Sequence, residues 1–171
     1  MAFVFTVEDG TGLSNATAYV SVADADDILI TNIHNDAWFA LSETDKEKLL
    51  SWASKHLDRK VKWEGTKAVK TSALRWPRNN VVDIDGVEVE EDEIPQQLKE
   101  ATAEMARFLV AKDRTVEQSR DGLKELIVDS VELVFDEKYR LPSVPSYIND
   151  LINGIGVVQS ARRGFSKIVR S

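Results

Sequence analysis

Apolar residues recur along most of the chain at the three- and four-residue spacing of an amphipathic helix. After Ser21 and Asp24, a pair that resembles a helix-capping box, they predict a first helix over about 22–33. A second helix is predicted to start at Ser42 or Thr44 and to run through DKEKLLSWASKHLDRKVKW, where an apolar stripe alternates with a basic face. These two segments supply the first half of a helical core.

The second half of the chain predicts one long helix and one short helix. Pro95 opens PQQLKEATAEMARFLVAKD, whose apolar residues share one face, and proline fits the first position of a helix. Two prolines precede a short helix in SYINDLI, which we expect to end at Gly154. Between them, residues 123–135 fit either a helix or a strand, and we favour a strand from about residue 130.

Turn-forming residues place one β-hairpin between the helices. Asp85 and Gly86 lie between short β-branched runs, so we predict a hairpin near 81–90 with a two-residue turn. The predicted fold class is mainly α: a small bundle of three to four helices with this hairpin and room for one extra strand. We divide the chain into an extended N-terminal arm (1–20), a helical domain (21–156) and a basic C-terminal tail (157–171).

The composition excludes several kinds of chemistry. The 171 residues include no cysteine and two histidines, so a disulfide framework, a cysteine nucleophile and a histidine-rich metal site are excluded. No phosphate-binding glycine loop occurs, and Asp83 and Asp85 fit a hairpin turn better than an EF-hand loop. We therefore predict a protein that is not an enzyme and that uses no cofactor and no metal.

No apolar run approaches the length of a membrane span, and the first residues lack the pattern of a signal peptide. We expect a protein that is made and kept in a cytoplasm and has no membrane partner.

The net charge of the chain is −7, and its acidic and basic residues occupy different stretches of the sequence. Residues 83–93 carry seven acids and no base, residues 55–78 carry eight bases and two acids, and residues 161–171 carry four bases and no acid. Separated patches of opposite charge suit self-association or docking to a partner. For a subunit or tail-protein interface we nominate the acidic residues Asp83, Asp85, Glu88, Glu90, Glu91 and Asp92.

The basic block 55–78 also contains two tryptophans, Trp63 and Trp76. Cations interleaved with aromatic rings are typical of single-strand nucleic-acid binding, because bases stack on the rings. The alternative, which we favour, is that these rings and Trp52 anchor a hydrophobic core. The residues that would face DNA under the first interpretation are Lys60, Lys62, Lys67, Lys70, Arg75 and Arg78.

Several segments, taken in order, resemble a family of tailed-bacteriophage head-tail connector proteins, also called head-completion or adaptor proteins. The segments are GLSNATAYVSVADADDIL, LLSWASKHLDRKVKWEG, LRWPRNNVVDIDG and EIPQQLKEATAEMA, and the likeness runs over residues 8 to about 110. The same family often carries the label "DnaT-like single-stranded DNA-binding protein". The residues that carry the likeness are Trp63, Gly65, Trp76, Pro77, Asp85, Gly86 and Pro95.

The resemblance implies a structural subunit of the virion that assembles in the host cytoplasm. Connector proteins form a dodecameric ring under the portal, extend the channel through which genomic DNA passes, and provide a docking platform for a tail, stopper or tail-terminator protein. Members commonly send a terminal segment into the portal protein. The portal-binding residues implied here are Arg162, Arg163, Phe165, Lys167, Ile168 and Arg170.

A head-tail adaptor is thus the first functional expectation. A replication protein that binds single-stranded DNA is the alternative. A replication protein should bind oligonucleotides with a steep dependence on salt, whereas an adaptor should form rings with portal or at high concentration.

Overall fold

The computed structural model describes residues 3–111, 125–128, 131–134 and 142–159, the two four-residue segments through their backbone alone. Five helices lie within these ranges: α1 (Val22–Leu29), α2 (Asp36–Phe39), α3 (Glu43–Lys60), α4 (Gln96–Ala111) and α5 (Ser146–Leu151). The strands are β1 (Val61–Trp63), β2 (Thr66–Lys67), β3 (Arg78–Asn79), β4 (Val81–Val82), β5 (Glu88–Val89), β6 (Glu125–Val128), β7 (Val131–Val134) and β8 (Gly156–Val158). The implied portal-binding residues from 162 to 170 lie outside the described ranges.

Helix α4 is the centre of the hydrophobic core. It packs against α1, α2, α3 and α5, and Leu98 and Met105 on its apolar face are fully buried. Small residues at Ala101 and Ala106 let the neighbouring helices approach closely, which is how a helix buries most of its circumference. The sequence prediction of this helix is confirmed, although it begins at Gln96, one residue after Pro95.

Helix α1 starts where the sequence predicts and ends earlier. The Ser21 hydroxyl accepts a 3.1 Å hydrogen bond from the Asp24 N–H, which confirms the cap. The side-chain amide of Asn35 donates to the C=O of Leu29 at 3.0 Å and so satisfies one of the last carbonyls of the helix. The predicted extension to residue 33 is therefore wrong, and Ile33 is left exposed.

Helix α3 begins at the predicted cap. Its N-cap is Ser42, whose hydroxyl accepts from the Asp45 N–H at 3.2 Å. The helix runs for 18 residues to Lys60 and passes directly into β1. Strand β1 pairs antiparallel with β8, which places Val61 opposite Val158 and Trp63 opposite Gly156.

The hairpin of β4 and β5 is confirmed, but its turn differs from the prediction. Asp83 N–H donates to Val87 C=O at 2.9 Å, so three residues and not two close the loop. The Asp83 carboxylate accepts from the N–H groups of Asp85 and Val87, and Gly86 takes a positive φ of 81°. A type I turn followed by a left-handed glycine is the usual three-residue hairpin loop.

The described residues form a mixed fold, so the predicted mainly α bundle is only partly right. Strands β6 and β7 pair antiparallel with Leu126 opposite Leu133. The stretch that fits either a helix or a strand by sequence therefore forms strands at 125–128 and 131–134. The strands β1, β2, β3 and β8 are not predicted from the sequence, because strands of two or three residues are too short to show a period.

Residues 3–20 fold back on the domain. Val7 bridges Ala18, and Ala18, Tyr19 and Val20 are buried. The buried carboxylate of Glu8 accepts hydrogen bonds from the N–H groups of Gly10, Gly12 and Leu13, which fixes this loop. The predicted start of the tail, residue 157, falls inside β8.

Candidate nucleic-acid interface

One face of α3 combines an exposed aromatic ring with cations. The row consists of Lys48, Trp52, Lys55 and Arg59. Their spacings of four, three and four residues align them along a single side of the helix. The Trp52 side chain is 45% exposed. At 1.5 Å per residue the row is about 16 Å long. We call these four residues, with Lys60, the basic α3 face.

A surface depression of about 230 Å³ lies along this face. Its walls are Trp52, Lys55, His56, Arg59 and Lys60. The His56 ring nitrogen lies 3.2 Å from the Ser143 C=O, a contact that links α3 to the segment before α5. In single-strand binding proteins an aromatic ring stacks on a base, while neighbouring ammonium and guanidinium groups bind its phosphate. This depression combines the same groups.

The cations of the face are available for a ligand. Within the described part of the chain, no ion pair involves Lys55, Arg59 or Lys60, and all three are exposed. Lys48 at the start of the row pairs with Asp45 at 3.2 Å. The positive charge is therefore concentrated on the C-terminal half of α3.

A buried hydrogen-bond network fixes that half of the helix. The Asp58 carboxylate accepts from the Tyr19 hydroxyl at 2.7 Å, from the Trp63 indole N–H at 3.1 Å and from the Arg75 N–H at 3.1 Å. Burial raises the pKa of Asp58, partly opposed by these hydrogen bonds, and burial also raises the pKa of Tyr19 well above its ordinary value. Asp58 thereby holds α3 against β1 and the loop at Arg75.

Trp63 and Trp76 do not serve as stacking platforms. They are 5% and 0% exposed, and their rings meet edge to face at a centroid distance of 5.9 Å. Their interpretation as core anchors is confirmed, whereas the same interpretation of Trp52 is wrong. The missed signal was the spacing of Trp52 from Lys48, Lys55 and Arg59, which separates it from the buried stripe of Leu50 and Leu57.

The predicted DNA-facing cations fall into two groups. Lys60, Lys62, Lys70 and Arg75 are exposed. Lys67 and Arg78 have structural partners instead: the Lys67 ammonium donates to Ser72 C=O at 2.6 Å, and the Arg78 guanidinium donates to the carbonyls of Glu64, Arg75 and Gly65. Burial lowers the pKa of Arg78.

The remaining sequence motifs are structural. Gly65 has a φ of 64°, and a Cβ there would lie 2.2 Å from the Asn79 C=O, while the peptide bond before Pro77 is cis. Pro95 precedes α4, and its C=O accepts from Leu98 N–H at 2.9 Å. The motif residues thus position the loops that join α3 to α4.

The acidic hairpin exposes both carboxylates and apolar side chains. Its acids at positions 85, 88, 90, 91 and 92 are exposed, and Asp83 is half-buried in the turn. Val82, Ile84 and Val87 are each at least 50% exposed. The hairpin rests on the turn after α5, where a Cβ on Gly154 would lie 2.4 Å from the Ile84 nitrogen.

A larger depression of about 580 Å³ lies between α1, α4 and α5. Four acidic side chains and one lysine contribute to its lining: Asp24, Asp27, Glu100, Glu104 and Lys99. Excess negative charge repels phosphate, so this depression is unsuited to a polyanion. No group of three or more acidic or histidine side chains within the described residues is arranged to hold a metal ion.

Comparison with known families adds one match that spans nearly the whole chain. Residues 2–171 match the family described as "Putative DnaT-like ssDNA binding protein". The chain belongs to this family. No curated protein and no solved structure matches it. For this member of the DnaT-like family, none of the helices described is long and apolar enough to cross a membrane.

Proposed function

We propose that this DnaT-like family member binds single-stranded nucleic acid through the basic α3 face. The observation that carries the proposal is the exposed Trp52 ring, set one helical turn from Lys55 and two turns from Arg59 on the same side of α3. An exposed ring offers a stacking surface to any unpaired base, and the cations pair with the phosphates on either side. The family description supports the same function.

The charge arrangement favours this face over the acidic hairpin and the larger depression. The net charge of −7 is a property of the whole chain, whereas association with a polyanion depends on the local field. The carboxylates of the acidic hairpin and of the larger depression make both surfaces unsuited to phosphate, whereas α3 exposes Lys55, Arg59 and Lys60. A duplex keeps its bases stacked and offers Trp52 no free base face, so the preferred ligand is a single strand.

Binding of a fluorescein-labelled oligothymidylate, measured by anisotropy, tests the proposal. Base–aromatic stacking is worth about 1–3 kcal/mol, so Trp52→Ala should weaken binding by about 5- to 150-fold. Tyr147→Ala is the matched control, because Tyr147 is another exposed aromatic residue but lines the acidic depression. Equal affinity of the Trp52 and Tyr147 variants, or preference for duplex over single strand, would contradict the proposal.

A second candidate function is a structural head-tail adaptor that assembles as a ring beneath a phage portal. The observation that favours it is the pairing of unlike patches: exposed Val82, Ile84 and Val87 on the acidic hairpin, and the basic face on α3. A ring requires a heterologous interface in which one patch meets a different patch on the neighbour. The partners of such a ring would be portal, a tail or stopper protein, and the genomic DNA in its channel.

Charge reversal tests the adaptor function separately. Glu90→Lys, Glu91→Lys and Asp92→Lys together should abolish ring formation with purified portal, as seen by negative-stain electron microscopy. These residues are exposed, so the variant should stay folded and keep its affinity for oligonucleotide. Rings of normal number and size in this variant would contradict the role of the hairpin.

A further inference from the structure

The acidic depression between α1, α4 and α5 has apolar walls as well as carboxylates. Ile28 of α1 and Leu151 of α5 are partly buried against the core and also line the depression. The Tyr147 side chain beside them is 50% exposed. A groove between helices that combines apolar and charged side chains is suited to a helix that carries apolar side chains and the opposite charge.

The carboxylates of the depression are available to cations. Asp24 and Asp27 are exposed and Glu100 is half-buried, and within the described residues no ion pair involves any of the three. Glu104 already belongs to an ion pair at 2.7 Å. Lys99 is the one cation among the described lining residues, so the depression keeps a negative charge.

The basic α3 face matches this depression in charge and in length. It carries an exposed ring and three exposed cations that make no ion pair within the described part of the chain. The segment from Trp52 to Lys60 and the part of α4 that lines the depression, from Gln96 to Glu104, each advance eight residues, or about 12 Å. One surface can therefore cover the other along its whole length.

The two surfaces cannot meet within one copy of the chain. Helix α3 packs against α4, and its buried stripe includes Leu50 and Leu57. Trp52 lies on the side of α3 that faces away from this stripe. Because α4 itself lines the depression, a contact between the depression and the basic α3 face requires two copies.

We infer that the acidic depression of one copy binds the basic α3 face of a second copy, and that this contact competes with single-stranded nucleic acid for the face. The inference rests on the proposed function of the α3 face. Trp52 packs against Tyr147 and Ile28 of the neighbouring copy, and Lys55 and Arg59 pair with its carboxylates. A contact between unlike patches joins copies head to tail. At high protein concentration the face is therefore covered until a single strand displaces the neighbour.

The acidic hairpin is the other negatively charged surface that could meet the α3 face. Its exposed Val82, Ile84 and Val87 lie on a two-stranded ribbon, which can touch a helix along one side only. The depression is bounded by three helices. It removes more of the Trp52 ring from water, and the gain from burial grows with the apolar area covered.

Sedimentation velocity at low salt, over a series of protein concentrations, tests the contact between copies. One variant reverses the depression (Asp27→Lys and Glu100→Lys), and another reverses α3 (Lys55→Glu and Arg59→Glu). The full chain should self-associate as its concentration rises. Each variant alone should stay monomeric, because its two surfaces then carry the same charge. An equimolar mixture should associate again, because the reversed depression meets the reversed α3, and this recovery also shows that both variants are folded.

The matched control makes the same change of charge on the acidic hairpin. Glu90→Lys and Glu91→Lys replace two exposed acids, and this variant should associate as the full chain does. Four results would each overturn the inference: a full chain that stays monomeric, undiminished association of either reversed variant, a mixture that does not associate, or loss of association in the hairpin control.

Displacement of a fluorescein-labelled oligothymidylate, followed by anisotropy, tests the competition. The α3 variant keeps an intact depression but lacks two cations of the face, so an excess of it should release the strand from the full chain. The same variant with Asp27→Asn and Glu100→Gln should not. Equal release by both, or release by neither, would overturn the competition.

The two experiments separate the inference from the proposed function. If Trp52→Ala weakens oligonucleotide binding and the full chain does not self-associate, the inference falls while the proposed function stands. If Trp52→Ala binds the strand as tightly as the full chain does, the proposed function falls and the competition falls with it, whereas sedimentation still decides the contact between copies.

Discussion

The Tyr19 hydroxyl donates a 2.7 Å hydrogen bond to the buried carboxylate of Asp58, across 39 positions of sequence. The same hydroxyl accepts hydrogen bonds from the N–H groups of Arg75 and Trp76. Three segments that are distant in sequence are therefore joined at the end of α3 that carries Arg59 and Lys60. The network gives the basic α3 face a fixed backbone.

The Asp58 network predicts a distinctive pH dependence of stability. Because burial raises the pKa of Asp58 above its unfolded value of 3.8, the native state binds more protons than the unfolded state between the two values. The contribution of Asp58 to the free energy of unfolding is therefore complete below pH 3.8 and is lost as pH rises through the raised pKa. The free energy of unfolding lost in Asp58→Asn should therefore be largest at acid pH and should shrink as pH rises.

Urea denaturation at a series of pH values measures this effect, and Asp45→Asn is the control of opposite sign. The Ser42 hydroxyl and Lys48 lower the pKa of exposed Asp45, so its contribution is present at higher pH and is lost as pH falls through the lowered pKa. A cost of Asp58→Asn that grows as pH rises would contradict the account.

The tryptophans should divide into one surface residue and several core residues. Trp76→Ala should cost about 3–5 kcal/mol of unfolding free energy, because it empties a fully buried site. Trp52→Ala should cost about 1 kcal/mol or less, since the ring is 45% exposed. Denaturant midpoints of the two variants check this difference, and similar losses for both would mean that Trp52 belongs to the core.

The elements with a clear period could be predicted from the sequence, and the elements without one could not. Ser42 and the stripe of Leu50 and Leu57 are sufficient to predict α3, and the prediction of α4 rests on the same kind of signal. Strand β8 was missed because Gly156, Val157 and Val158 gain their structure only by pairing with β1. Such pairing is a tertiary effect and leaves no local pattern.

The candidate site could be predicted only in part, and the reason is related. Its cations belong to a basic block of the sequence, but linear order does not show which of them share one side of α3. In linear order Trp63 and Trp76 lie among the basic residues, although both rings point into the core. The helical period alone would have selected Trp52, Lys55 and Arg59 as one face.

The hairpin should depend on a glycine that is distant in sequence. Gly154 has a φ of 91°, and a Cβ there would lie 2.4 Å from the Ile84 nitrogen. Gly154→Ala adds this clash to the strain of a left-handed backbone, a strain of about 1–3 kcal/mol on its own. We expect a larger loss of unfolding free energy than in Gly86→Ala.

Gly86 is the matched control because its φ of 81° is also positive, whereas no described residue beyond its two chain neighbours has an atom within 4 Å of its Cβ position. Thermal or urea unfolding of both variants measures the difference. Equal losses would mean that the hairpin does not rest on the turn after α5.

Intrinsic tryptophan fluorescence during titration with an oligothymidylate tests the binding role of α3 most directly. Trp38, Trp63 and Trp76 are buried, so an added strand can reach the Trp52 ring alone among the four. We predict saturable quenching that is absent in Trp52→Phe and is reversed by salt. Unchanged fluorescence at concentrations where anisotropy reports complete binding would show that the strand lies elsewhere, and would contradict the assignment of the basic α3 face.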